Sequence, residues 1–272
     1  MSLGRLAAGA VLALAAAPAV WAESCAAPVL DASMGTERSR LTEVGSSGRQ
    51  LVKESGTLRT FGIGASVPCA GWLWAARFQH AAGSRDYAGQ SQTGAKVLSS
   101  SDIRRNRVQL QALRPVSDAL ALGLQLDWTS LNRDIAGAGT VQGYPEQYRT
   151  MQAALGARYL VPDVAGMQLG FEAWLGGGPG GHVDVQLPAT DAARLKLGAS
   201  RWAALGLTLA SAEAVPDAPG WAWQVRLDWR RDVTRAGTAQ ALYSNGFLVG
   251  GALQPKFSQT ALGLDAALRY RF

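Results

Sequence analysis

Large apolar residues alternate with small or polar ones through several separate segments of this chain. Trp221, Trp223, Val225, Leu227 and Trp229 share one face, and Ala222, Gln224, Arg226, Asp228 and Arg230 the other. Leu120, Leu122, Leu124, Leu126 and Trp128 likewise oppose Ala121, Gly123, Gln125, Asp127 and Thr129. Met167, Leu169, Phe171 and Ala173 oppose Gln168, Gly170 and Glu172, and the stretch 262–272 alternates to Phe272. A period of two sorts side chains onto the two faces of a strand, whereas a helix would mix them. The fold class is therefore all-β. The first segment is less regular: Phe61, Ile63, Ala65 and Val67 alternate, but 33–56 is polar and its register stays open.

Turn-like clusters containing proline punctuate the pattern at 67–71, 114–119, 161–166 and 215–220. Their first prolines, Pro68, Pro115, Pro162 and Pro216, are 47, 47 and 54 residues apart. They divide the chain into five units, 23–67, 71–114, 119–161, 166–215 and 220–272. Each has two alternating segments around a Gly/Ser/Asp/Asn/Gln-rich middle, the pattern of a β-hairpin. The units share a spacing but no residue motif, so the period is hairpin geometry and not a repeat array. Five hairpins predict ten antiparallel strands, with longer loops over 83–100, 132–147, 177–192 and 232–256.

One continuous apolar stretch exists. Arg5 precedes Leu6–Ala17, and Val20-Trp21-Ala22 follows with small residues at its outer positions. That order reads as a secretory signal peptide over 1–22, leaving 23–272 as a single domain. The remaining chain has 4 Lys against 21 Arg. A soluble sheet would turn a Lys- and Glu-rich face to water. The polar face here holds Gly, Ala and Gln with scattered Arg and Asp, which suits a crowded interior. The apolar face holds Leu, Val, Ala and Phe, with Trp and Tyr towards the strand ends. Two aromatic girdles around an apolar band are a membrane arrangement. Backbone groups cannot face hydrocarbon unpaired, so the sheet must close.

These features together resemble a bacterial outer-membrane β-barrel. A last strand ending in an aromatic residue is that class's assembly signal, and Leu268, Tyr270 and Phe272 match it. The resemblance implies an up-and-down, ten-stranded antiparallel transmembrane β-barrel in a Gram-negative outer membrane. Tight turns and termini would face the periplasm, and long loops would face outward. Cys25, before the first strand, and Cys69, in the first tight turn, would then meet at one rim and form a disulfide. The implied partners are outer-membrane lipid, lipopolysaccharide and the assembly machinery. A monomer is expected, with no nucleic acid, cofactor or metal.

Chemistry has three candidate locations. Inward phases predict a lumen network of Arg77, Arg107, Asp127, Arg158, Glu172, Arg226, Asp228, Asp265 and Arg269. Ten strands enclose too narrow a space for an open porin channel, and buried charges there must pair. Three strands are expected to end in Arg-Asp pairs, placing Arg85, Arg133 and Arg231 at an outer rim where lipopolysaccharide phosphates could bind. Third, omptin-type barrel proteases work with carboxylates and a His at the outer rim, for which Asp86, Asp134, Asp232 and His182 are the candidates. No omptin motif is present. The His-x-Ser-Asn pattern of outer-membrane acyl hydrolases finds Ser244-Asn245 here, but Leu242 stands where the base belongs. The leading expectation is a non-catalytic barrel with a plugged polar lumen, serving envelope integrity, surface interaction or limited small-solute passage. The alternative is a rim hydrolase, protease or lipid-modifying.

Overall fold

The structure is a computed structural model that describes residues 25–90, 94–164, 166–211 and 219–272. The segment read as a signal peptide and the turn at Pro216 lie outside the described residues. Fourteen strands follow one another among the described residues: β1 (Val29–Val44), β2 (Gln50–Cys69), β3 (Trp72–Gln90), β4 (Lys96–Pro115), β5 (Leu120–Ile135), β6 (Tyr144–Val164), β7 (Met167–Gly178), β8 (Gly181–Val185), β9 (Ala193–Leu197), β10 (Ser200–Ser211), β11 (Gly220–Thr234), β12 (Gln240–Ser244), β13 (Phe247–Ala252) and β14 (Lys256–Arg271). Ten of them form a closed antiparallel ring in the order β1-β2-β3-β4-β5-β6-β7-β10-β11-β14, sealed where β14 pairs with β1 from Arg271↔Val29 to Lys256↔Val44. The five expected hairpins are β1–β2, β3–β4, β5–β6, β7–β10 and β11–β14.

The alternation decides which face is outside. Leu175 is 71% exposed and Trp221 69%, and Leu124, Leu155, Leu205, Phe171 and Leu264 are exposed around the same wall. A continuous apolar belt of this extent requires lipid. At the short-turn end, Cys69 and Trp72 are joined by Ala70 (φ 52°) and Gly71 (φ 75°), the two left-handed residues of a type I′ hairpin turn.

Crossing a bilayer takes about 9–11 tilted residues, yet β2 has 20 and β6 has 21. The sheet therefore continues beyond the lipid band at the long-loop end. This corrects the expected loops, because the segment 83–100 is strand to Gln90 and again from Lys96, and 132–135 is still β5. The polar stretch 33–56 belongs to β1 and β2 and pairs throughout, apart from an irregularity at Glu43/Val44 and the turn 45–49.

In this upper storey β6 changes partner. It pairs with β7 up to Ala153↔Gly177, and from Thr150↔Gly181 it pairs with β8, which carries β9 on its far edge. Val183, Val185, Leu195 and Leu197 of that hairpin are buried against Leu58, Ile103, Leu131 and Tyr148. Each such side chain withdrawn from water contributes about 1.5–3 kcal/mol. The mouth at the long-loop end is thus capped by apolar packing. Deeper, Trp174 and Trp202 also point inward, both buried. Space for them comes from glycine: a Cβ on Gly156 would collide with the Trp174 ring, and one on Gly176 would lie 2.8 Å from the Trp202 ring.

Cys25 and Cys69 form the expected disulfide, and the Ala26 N–H donates to the Pro68 carbonyl at 2.8 Å. The bridge closes a loop with a sequence separation of 44. On the chain-entropy account a loop of this length is worth about 4 kcal/mol. Reduction, or a Cys25→Ser/Cys69→Ser double variant, is expected to lower stability by that amount. The measurement is denaturant-dependent loss of the fast-migrating folded form on unheated gels; an unchanged midpoint would refute the contribution.

Candidate functional site

Inward-facing charge fills the barrel in three levels. At the short-turn end a cavity of about 350 Å³ is lined by Arg77, Arg158, Gln168, Glu172, Arg226 and Arg269, among others. Glu172, on β7, accepts from Arg158 Nε (2.7 Å) and Arg226 Nη2 (3.3 Å), and the Trp174 indole also donates to it (3.3 Å). Arg226 Nε donates to Asp228 at 2.7 Å. Asp265 accepts from the Thr60 hydroxyl at 2.5 Å and faces Arg77 at 4.0 Å.

The middle level surrounds a second chamber of about 150 Å³. Arg230 organises one wall. It donates to Asp127 (2.7 Å), Asp232 (2.9 Å) and Gln152 (2.7 Å), and its guanidinium lies 3.8 Å from the centre of the Trp202 ring. Gln111, Gln125 and Asp127 continue as a hydrogen-bonded chain. On another wall Arg105 grips both oxygens of Glu37.

The upper level centres on Arg133, whose side chain is 1% exposed. Its guanidinium donates to Glu54 (2.9 Å), Glu43 (2.8 Å) and Glu146 (2.8 Å), and the Tyr148 hydroxyl donates to Glu146 (2.8 Å). Arg85 donates to Ser39 at 2.7 Å and sits 3.5 Å from Glu54. Ser101 supplies Glu54 with a further bond at 2.7 Å.

The structure places Arg77, Arg107, Asp127, Arg158, Glu172, Arg226, Asp228, Asp265 and Arg269 on the lumen side of the wall. Two rim expectations are corrected. Arg85 and Arg133 are fully buried inside the upper storey, because β3 and β5 run on past the lipid band and these residues keep the inward phase. Arg231 is exposed on the outward face, between Thr260 and Ala203, and Arg40 lies beyond Thr260. Glu37, Glu43, Glu54, Arg105, Glu146 and Trp202 were not anticipated in the lumen. For Glu37 and Glu43 the inward phase shared with Ser33 and Ser39 carries the signal.

The hydrolase candidates do not converge. Asp232 is bound to Arg230 inside the lumen, whereas Asp86 and Asp134 are exposed on the outward face. His80 Nδ1 meets Asn106 Oδ1 at 2.8 Å. His182 Nε2 is 3.9 Å from Asp184, on the outer face of β8. Neither His bonds to Asp86, Asp134, Asp232 or Ser244 among the described residues. Asp184 is tied instead to Arg194 at 2.7 Å, and that hydrogen bond holds its carboxyl below the usual aspartate range. The depressed value makes this pair's stabilisation present at neutral pH and lost as pH falls through the folded-state value.

No family model and no curated relative matches the sequence. Solved structures do match. The outer-membrane protease OmpT of Escherichia coli aligns over 90% of this chain and 97% of its own at 12% identity, with a TM-score of 0.54. The translocator domain of the autotransporter NalP from Neisseria meningitidis covers 99% and 98% at 12% identity (TM-score 0.42). The toluene transporter TodX of Pseudomonas putida covers 95% and 92% at 12% identity (TM-score 0.35). At these identities the likeness concerns the fold, which is that of the outer-membrane β-barrels.

Removing one partner from a buried ionic cluster costs about 3–5 kcal/mol, while an exposed pair is worth about 1 kcal/mol or less. Arg133→Met is therefore expected to lower unfolding stability in detergent by the larger amount, stranding Glu43, Glu54 and Glu146. Asp184→Asn should fall within the smaller one. Denaturant titrations of the two variants side by side check the contrast, and similar losses would refute the hub role of Arg133.

Proposed function

We propose that this chain is a non-catalytic outer-membrane barrel of a Gram-negative bacterium whose lumen is sealed by its own side chains. Its role is structural, in envelope integrity or at the cell surface. The observation that carries the reading is the double closure of the upper storey: the Arg133–Glu43–Glu54–Glu146 cluster fills the lumen, and the β8–β9 hairpin packs Val183, Val185, Leu195 and Leu197 over it. An ion crossing the barrel would have to break buried ion pairs and displace packed apolar side chains. The separation of the two histidines from Asp86, Asp134, Asp232 and Ser244 favours this reading over a rim hydrolase, which needs a base within hydrogen-bond reach of its partner.

The outer surface supports a lipid partner. Arg38, Arg40, Arg59, Arg104, Arg201 and Arg231 are exposed on the outward phase of β1, β2, β4, β10 and β11. They sit towards the long-loop end from the apolar belt, where guanidinium forks suit lipopolysaccharide phosphates. This collar replaces the one expected from Arg85 and Arg133, with Arg231 common to both. The disulfide and the short turns would then face the periplasm.

Planar bilayer recording tests the sealed lumen. Purified protein is expected to give no discrete conductance steps in 1 M KCl, about the ionic strength at which the Debye length falls to 3 Å and surface charge is screened. Excision of the β8–β9 hairpin is expected to leave conductance low, because the Arg133 cluster remains beneath it. Stable ohmic steps from the intact protein would overturn the sealed-lumen reading.

A further inference from the structure

One cation of the middle chamber has no ion-pair partner of its own. Five arginines and four carboxylates line it, and Asp127 and Glu172 also pair with two of those arginines, Arg230 and Arg226. Glu37 is held by Arg105, Asp228 by Arg226, Asp232 by Arg230 and Asp265 by Thr60 and Arg77. The fifth arginine, Arg107, has no carboxylate within 4.0 Å among the described residues. The charged groups that act on it are Arg230, Arg105, Asp127 and Asp232, and both of these aspartates are already engaged by Arg230. A guanidinium cannot relieve burial by releasing its proton, so the charge remains. An unpaired charge in a low-dielectric interior is costly until a counter-charge meets it.

Hydrogen bonding points the same way. Arg107 Nε, Arg105 Nε and the Trp202 indole Nε1 are buried without a protein acceptor, and all three residues line this one chamber. The surplus is entirely of donors. Apolar packing at the cap and ion pairs below limit dilution of the field by bulk water.

We propose that the middle chamber is a binding site for one small monovalent inorganic anion of halide type, held by Arg107 with Trp202 Nε1 and Arg105 Nε as further donors. A single anion would give the unpaired guanidinium its counter-charge, and the volume of about 150 Å³ suits a small ion. The ion is a resident of the sealed lumen, which makes the site independent of whether the barrel conducts.

Crystals of the full chain grown in gluconate salts and soaked in sodium bromide test this by anomalous scattering. One bromide peak is expected inside the chamber, in contact with Arg107, and it should disappear in Arg107→Gln. Should that variant fail to assemble, Trp202→Phe keeps the ring under Arg230 and removes one donor, and its bromide occupancy is expected to drop at least twofold. A wild-type chamber holding water alone, bromide confined to the outer surface, or occupancy unchanged in either variant would overturn the proposal.

Discussion

Everything inside this barrel follows from a narrow ring of ten strands that must hold its inward side chains in a space without bulk water. An arginine there reaches only what nearby strands offer, so several guanidiniums are matched across the lumen to carboxylates from distant parts of the chain. Arg133 on β5 draws together β1, β2 and β6 through Glu43, Glu54 and Glu146. Arg230 on β11 reaches β5 and β6 through Asp127 and Gln152. Such cross-lumen bonds fix the ring's cross-section, because a wider or slipped ring would strand charge. The same matching makes one unmatched cation informative.

The upper storey extends this logic beyond the lipid. Strands that need about ten residues to cross a membrane run on for twice that length, and outside the bilayer the outward phase becomes polar while the inward phase turns partly apolar. Leu41, Val52, Tyr87 and Ile135 form a small core there, like that of a soluble domain. The switch of β6 from β7 to β8 adds four more apolar side chains, packed on a second cluster formed by Leu58, Ile103, Leu131 and Tyr148. One continuous sheet therefore serves two solvents, with an inverted pattern above and below.

Much of this was legible in the residues. The period of two gave the strands, prolines at nearly equal spacing gave the hairpins, and scarcity of lysine together with small polar faces pointed to an enclosed interior. The nine lumen residues follow from phase alone. Arg85 and Arg133 were misplaced for a definite reason: an Arg-Asp pair reads as a strand end, and nothing local reveals that a strand continues outside the membrane. Glu43, Glu54 and Glu146 acquire meaning only when β1, β2 and β6 are brought to the same level of the ring, which is a property of register. The β8–β9 cap is equally non-local. Its five-residue strands are short, and its glycine-rich approach at 176–181 resembles a loop until β6 supplies an edge.

The disulfide gives the seam a direction. Closing the ring means joining β14 to β1, two strands at opposite ends of the chain. Cys25 precedes β1, and Cys69 ends β2 at the first tight turn, so the bridge staples the leading edge of the sheet to its second strand. Once oxidised, that edge is a rigid template two strands wide, and only β14 is left to arrive. Ring closure then resembles a zipper with one jaw fixed.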